Sequence, residues 1–171
     1  MEKKKVTSDE LYKFITDHHI IISKVSEVMG ASHSIVSRSF KHGLDRLGKP
    51  IKFSSANLLK LNMAIGQIAA ELRTMEIKFG SDQTYTNMRG STYDPATVDA
   101  IQQLGDYFNL KGMTHSVLGW NETRKRTTLS IKNSPVYGNI TKDDVERINM
   151  EVLSVVSTLD SIEVVADEDK D

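Results

Sequence analysis

The sequence contains no cysteine, only three prolines and a single tryptophan among its 171 residues. Without cysteine, a disulfide framework, thiol catalysis and the common structural zinc sites are excluded. No apolar run approaches the roughly 18 residues that a membrane-spanning helix needs, and the basic start of the chain leads into a polar helix rather than a signal sequence. We therefore expect a cytoplasmic protein, without a membrane segment, that forms one globular domain or two small ones.

A strong net charge is also absent, because the formal net charge is −1, but the charges are unevenly distributed. Residues 1–52 carry ten Lys or Arg against six acids, and residues 111–132 carry five against one. Residues 153–171 carry six acids against one lysine. The net charge therefore conceals two basic segments, and these are candidates for contact with an anionic partner.

Patterns typical of metal binding or catalysis are missing from the sequence. His18 and His19 are adjacent rather than one helical turn apart, and the other three histidines have no neighbouring ligand pattern. No phosphate-binding glycine loop and no nucleophile–base arrangement is found. We therefore expect no metal, no cofactor, no small-molecule substrate and no enzymatic activity.

The spacing of apolar residues predicts a helical protein. Ser8 or Asp9 is expected to cap the first helix, Ser32 is expected to cap the third, and Gly30 marks the turn before it. The predicted elements are a helix that begins at residue 8 or 9, a second over 23–29, a third from 33 to about 42, a loop over 43–52 and a long helix from 53 to about 79.

A second long helix near the end of the chain matches the first. It is expected to begin after Thr141 and to have apolar positions three and four residues apart as far as Ile162. A shift of 87 residues superimposes the two long helices and places the pair Asn62-Met63 on an identical Asn-Met pair. We predict an all-α tandem repeat with a first repeat over 1–79, a polar linker over 80–95, a second repeat over 96–166 and an acidic tail over 167–171.

The segment from Val25 to Phe40 has the residue pattern of a helix-turn-helix. The apolar-small pair Val25-Ser26 precedes the turn glycine Gly30, and the apolar residues Val36 and Phe40 follow it. This segment resembles the lambda-repressor/Cro-like helix-turn-helix family. The resemblance implies a small DNA-binding transcriptional regulator of the type that phages or mobile elements carry.

The resemblance covers about residues 8–72 and implies double-stranded DNA as the partner. With the apolar residues of the third helix on the core, its other side chains face outward, and an arginine there can donate two hydrogen bonds to guanine. The candidates for base contact are His33, Ser34, Ser37 and Arg38. The candidates for phosphate contact follow the helix and are Lys41, Arg46, Lys49 and Lys52.

The corresponding segment of the second repeat departs from the pattern, because Lys125 stands where the first repeat has Val36. Residues 113–132 are therefore compatible with a divergent helix-turn-helix or with a β-hairpin that has a basic tip, comparable to a wing. The candidates for base contact in the helical alternative are Glu122, Thr123, Arg126 and Thr127. The candidates for phosphate contact are Arg124, Lys125 and Lys132.

Together these features predict sequence-dependent DNA binding, with repression, activation and an architectural role all left open. The two long helices can pair with each other within one chain, and a homodimer on paired half-sites is also compatible with the pattern. The alternative function is that of a non-catalytic protein-interaction or assembly factor that binds its partner through the long helices.

Overall fold

A computed structural model describes residues 2–79, 103–109 and 142–170, and it describes side chains over 2–75, 103–109 and 146–170. The expected linker over 80–95 and the basic segment over 113–132 lie outside these residues. The same is true of Thr141, the expected cap of the second long helix.

The described chain is mostly helical, in agreement with the class that we predicted. Its elements are β1 (Lys4–Val6), α1 (Ser8–Asp17), α2 (Ile22–Met29), α3 (His33–Lys41), α4 (Ser55–Phe79), α5 (Lys142–Ser161), β2 (Ile162–Val164) and a short 3-10 helix (Asp167–Asp169). The two strands pair in parallel and form a small sheet that we did not predict.

The chain divides into two compact units, and the first of them combines two segments that are far apart in the sequence. The first unit contains residues 1–70 together with residues 156–171, and the second contains residues 71–155. The C-terminal residues thus belong to the same unit as the first three helices. From the sequence we had assigned them to the end of the second repeat and to an acidic tail.

Helix α1 begins with a capping box. Thr7 has an extended backbone, its hydroxyl accepts a hydrogen bond from the Glu10 N–H at 3.2 Å, and the Glu10 carboxylate accepts one from the Thr7 N–H at 3.4 Å. The prediction that Ser8 or Asp9 caps this helix was therefore wrong by one or two residues. Three consecutive residues are good caps, and the glutamate three positions after Thr7 selects the first of them.

The small sheet joins the two ends of the chain. Val6 pairs with Val164, and both side chains are buried, whereas Glu163 between the two buried residues of β2 is exposed. This alternation is the strand period of two, and the pairing of this segment with β1 explains why α5 ends at Ser161. We had predicted Ile162 as the last apolar position of the helix, and this was wrong because it is the first residue of β2.

Helix α4 is attached to β2 through one amide side chain. The Asn62 Nδ2 group donates to the Val164 carbonyl at 2.8 Å, and the Val164 N–H donates to Asn62 Oδ1 at 2.8 Å. The side chain thus pairs with a backbone edge as a neighbouring strand would. It satisfies two backbone groups that would otherwise lack partners at the edge of a two-stranded sheet.

The core of the first unit packs beneath α3. The Phe40 ring stacks on Tyr12 with centroids 5.5 Å apart and meets Phe53 edge-on at 4.8 Å. The other large side chains that are almost completely buried in this unit are Leu11, Ile15, Leu61 and Ile68. Helix α3 is therefore fixed on its inner side by contacts to α1 and to the residues just before α4.

In the second unit, the described residues contribute buried apolar side chains and a partly buried hydrogen bond between Tyr107 and Glu71. Leu104 and Phe108 are fully buried, and the Tyr107 hydroxyl donates to the Glu71 carboxylate. The buried residues of α5 in this unit are Ile148, Val152 and Val155. These positions confirm the predicted apolar spacing of the described part of the helix.

Candidate nucleic-acid interface

Helices α2 and α3 are joined by a tight turn at Gly30. This residue has φ 70° and ψ 28°, and its N–H donates to the Glu27 carbonyl at 3.1 Å. The next N–H, from Ala31, donates to the Ser26 carbonyl at the same distance. A side chain at Gly30 would meet open space, but the left-handed backbone strains any residue with a Cβ. The predicted turn is confirmed.

The inner face of α3 is held by Val36 and Phe40, which are buried as predicted. Ser39 is buried beside them, which we did not predict from its polar side chain. Its hydroxyl donates to the Ile35 carbonyl at 2.8 Å, so burial leaves it with a partner. Three neighbouring positions therefore fix the helix on the core and determine which residues face away.

The outer face of α3 carries the four residues predicted for base contact, and three of them are exposed. His33, Ser34 and Arg38 are exposed, and Ser37 is half-exposed. Because residues four and three positions apart share a helix face, Ser34, Arg38 and Lys41 lie along one line of this outer surface. The structure thus aligns two base-contact candidates, Ser34 and Arg38, with the phosphate-contact candidate Lys41.

Ile35 is a further residue of this surface that we did not predict. Its side chain is 50% exposed although it is large and apolar. Ile35 follows the outward-facing Ser34, and a residue at that helical position can lie at the rim of the outer face. Its position on the helix was the only feature of the sequence that could have predicted this exposure. A methyl-bearing side chain at the rim can contact the 5-methyl group of thymine.

The outer residues of α3 have no polar partner within the part of the chain that the structure describes. No hydrogen bond or ion pair is found for the side chains of Ser34, Arg38 and Lys41 there. The aliphatic stem of Arg38 lies against Gly43, whose Cα would place a methyl group 3.4 Å from Arg38 Cγ. The stem is thus supported while the guanidinium remains available.

Residues 43–51 form an ordered hairpin where we had predicted a loop. Leu44 and Pro50 form an antiparallel bridge, and the Ile51 N–H donates to the Gly43 carbonyl at 2.7 Å. At the tip the Gly48 N–H donates to the Asp45 carbonyl at 3.0 Å, with Gly48 at φ 78°. This is a three-residue hairpin connection with glycine in its left-handed position.

Asp45 is the only acid of the hairpin, and its carboxylate accepts hydrogen bonds from the hairpin backbone. Asp45 Oδ1 accepts from the Leu47 N–H at 2.8 Å and from the Lys49 N–H at 2.9 Å. The side chains of Arg46 and Lys49 are exposed on a backbone that five hydrogen bonds within the hairpin hold in place. From α3 through the hairpin, the exposed cations outnumber the acid.

Lys52 lies in a different setting from the other three phosphate-contact candidates. It lines a cavity of about 90 Å³ together with His42, Asp167 and Glu168. Two carboxylates on the same cavity offset its positive charge locally, so Lys52 is a weaker candidate than Lys41, Arg46 or Lys49.

His42 connects the end of α3 to the start of α1. It is the left-handed residue that ends α3, with φ 53°, and its Nε2 lies 2.5 Å from Asp9 Oδ1. The contact ties the end of α3 to the first turn of α1, where a negative charge is also favourable for the helix. Together with the buried inner face, it fixes both the position and the direction of α3.

The candidates of the second repeat lie outside the described residues. This applies to the base-contact candidates Glu122, Thr123, Arg126 and Thr127, and to the phosphate-contact candidates Arg124, Lys125 and Lys132. Over the described ranges, no group of three or more His, Asp or Glu residues is suitably placed for a metal ion. No helix within those ranges is both long and apolar enough to cross a membrane.

Comparison of the chain with family models, with curated protein sequences and with solved structures gives no match. The interpretation of this candidate interface therefore depends on the positions and chemistry of its own residues.

Proposed function

We propose that the protein binds double-stranded DNA in a sequence-dependent manner and acts as a small transcriptional regulator of the helix-turn-helix type. The observation that carries this proposal is the outer face of α3. This face follows a tight turn, is fixed from below by Val36 and Phe40, and presents Arg38 without a polar partner among the described residues.

The dimensions and chemistry of α3 fit the major groove. A helix with its side chains is about 10–12 Å wide, and the major groove of B-DNA is about 12 Å wide. Arg38 can donate two hydrogen bonds to O6 and N7 of a guanine, and Ser34 on the preceding turn can contact a neighbouring base edge. Ile35 at the rim supplies an apolar contact for a thymine methyl group.

The cations next to α3 supply affinity without sequence information. Lys41 on the last turn of α3, and Arg46 and Lys49 in the hairpin, are exposed. In the proposed complex each of them neutralises a phosphate and releases a counterion, which strengthens binding and makes it sensitive to salt. The partly offset charge of Lys52 contributes less.

A titration of random-sequence duplex with the full chain between 50 and 200 mM salt tests the electrostatic part of the proposal. Three phosphate contacts predict a slope of about −3 in a plot of log K against log salt concentration. Lys41→Ala should make the slope less steep by about 1. Lys13→Ala is the matched control, because Lys13 is paired with Asp17 at 2.8 Å on α1 and should not alter the slope.

Selection from random duplexes tests the specific part. The proposal requires enrichment of a common motif that includes at least one guanine. Recovery of unrelated sequences, or a salt slope near zero, would show that the chain does not bind DNA as proposed.

Exposed apolar side chains on the long helices favour assembly as a second candidate function. Leu59 and Met63, one turn apart on α4, are 64% and 68% exposed. Met150 and Leu153 on α5 are also exposed. Because a second copy of the chain would cover such positions, Met63→Glu should shift a dimer towards the monomer in light scattering at equal concentration. A monomeric wild-type chain would remove this candidate.

A further inference from the structure

The hairpin over 43–51 combines a fixed backbone with an unusual tip. Leu47 is 81% exposed and Leu44 is 66% exposed, which makes them the two most exposed leucines in the first compact unit. An exposed leucine alone is common in proteins. Here, however, Leu47 lies between Arg46 and Lys49 on a turn that Asp45 holds with two side-chain hydrogen bonds.

The polar neighbours of Leu47 indicate the kind of surface that it contacts. A protein-binding hydrophobic patch is contiguous and tends to have few charges at its centre. The tip instead places one apolar side chain next to two cations, while the carboxylate of Asp45 is used by the backbone. This combination matches a minor groove, where phosphates line both walls and apolar side chains contact the sugars and base edges within.

The hairpin starts next to α3, and its length can be compared with the distance between adjacent grooves of DNA. Its base is joined to α3 by the Gly43 N–H, which donates to the Arg38 carbonyl at 2.9 Å. From this base the chain runs three to four residues to the tip, or about 10–13 Å at 3.3 Å per residue. Adjacent major and minor grooves lie about half a helical turn apart, or roughly 17 Å. The hairpin backbone thus covers about two thirds of this separation, and the long side chain of Arg46 extends beyond the tip towards the next minor groove.

We propose that the hairpin inserts Arg46 and Leu47 into the minor groove beside the major groove that α3 occupies. This inference rests on the proposed function and extends it to a second region of the DNA site. Arg46, which we had predicted as a phosphate contact, enters the groove, whereas Lys49 remains at the phosphates. Because a narrow A·T-rich minor groove has an enhanced negative potential, the DNA flanking the α3 site is A·T-rich.

The test compares three duplexes that share the selected α3 motif and differ only in the flanking base pairs: A·T, G·C or inosine·cytosine. Inosine·cytosine has the major-groove acceptors of G·C but lacks the 2-amino group in the minor groove. We expect the wild-type chain to bind the A·T and inosine·cytosine flanks about tenfold more tightly than the G·C flank. Equal binding to all three duplexes, or inosine·cytosine behaving as G·C, would overturn the proposal.

Two variants separate groove insertion from phosphate contact. Arg46→Lys keeps the charge, so it should abolish the flank preference while leaving the salt slope unchanged. Leu47→Ser should reduce the preference, whereas the control Lys13→Ala on α1 should not. A wild-type flank preference that survives Arg46→Lys and Leu47→Ser would assign the hairpin to phosphates alone.

The same titrations separate the failure of this inference from failure of the proposed function. If the chain binds the selected motif, and Arg38→Ala weakens that binding, but the flank has no effect, the hairpin proposal alone is wrong. If no duplex is bound above the level of random sequence, the proposed function is wrong and the hairpin proposal falls with it.

Discussion

Two regions of the first compact unit differ in how their polar side chains are paired. Around the sheet, Asn62 is paired with the backbone of Val164, and Glu10 is paired with Thr7 and with Lys170 at 2.5 Å. On the outer face of α3, Arg38 and Ser34 have no polar partner in the described chain. The fold therefore depends on the polar groups around the sheet, and those of the outer face of α3 are available to another molecule.

The two regions also differ in charge. The hairpin and α3 present exposed cations, whereas the C-terminal 3-10 helix over Asp167–Asp169 consists of three acids. A polyanion is attracted to these cations and repelled by these acids. This difference favours binding by the outer face of α3, and it explains how a chain with a net charge of −1 can present a basic surface.

The largest effect on stability is expected where α4 is joined to the sheet. Asn62→Ala removes both hydrogen bonds to Val164 and leaves a backbone N–H and a carbonyl without those partners. We expect a loss of about 2–4 kcal/mol in the free energy of unfolding, measured by urea denaturation. DNA affinity measured under conditions where the variant remains folded should not change. A loss below about 0.5 kcal/mol would contradict the role assigned to this side chain.

A smaller effect is expected at the turn that places α3. Gly30→Ala forces a Cβ into a left-handed backbone and should cost about 1–2 kcal/mol. The matched control is Gly66→Ala, because Gly66 lies inside α4 and its Cβ would meet nothing within 4 Å. That variant should instead stabilise the protein by about 0.5–1 kcal/mol. Equal changes at both positions would contradict the special backbone at Gly30.

The smallest effect concerns pH. The hydrogen bond from Lys170 lowers the pKa of Glu10 below its ordinary value of 4.5, with a further contribution from Thr7. Because the folded-state pKa is lowered, this contact stabilises the fold above pH 4.5, and the stabilisation is lost as the pH falls through the folded-state pKa. Glu10→Gln keeps the capping hydrogen bonds and should flatten the acid side of the stability profile, as should Lys170→Ala. Profiles parallel to wild type would show that the pair does not contribute.

Features that depend on nearby residues could be predicted from the sequence, and those that depend on distant residues could not. Gly30, Val36 and Phe40 follow from glycine at a turn and from helical spacing. The strand β2 does not, because Ile162 continues the apolar spacing of α5, and only pairing with Val6 on the distant β1 makes the segment extended.

The candidate site shows the same limit. The exposure of Arg38 follows from the helical pattern, whereas the burial of Ser39 could not be read from its polar side chain, which can be buried because its hydroxyl donates to the Ile35 carbonyl. The hairpin could have been predicted, since Asp45 followed by Gly48 is typical of a type I turn with a left-handed glycine after it. The exposure of Leu47 indicates a contact surface only once it is known that the hydrogen bonds of Asp45 hold the turn in place.

The affinity of the full chain for its selected duplex, measured for wild type, Arg38→Ala and Lys13→Ala, tests the central claim most directly. Arg38→Ala should weaken binding by about 1–3 kcal/mol, or roughly 5- to 150-fold, and should relax the preference for guanine at one position. Lys13→Ala should bind as wild type does, and both variants should unfold at the wild-type urea concentration. Unchanged affinity and unchanged base preference in Arg38→Ala would show that the outer face of α3 does not contact DNA.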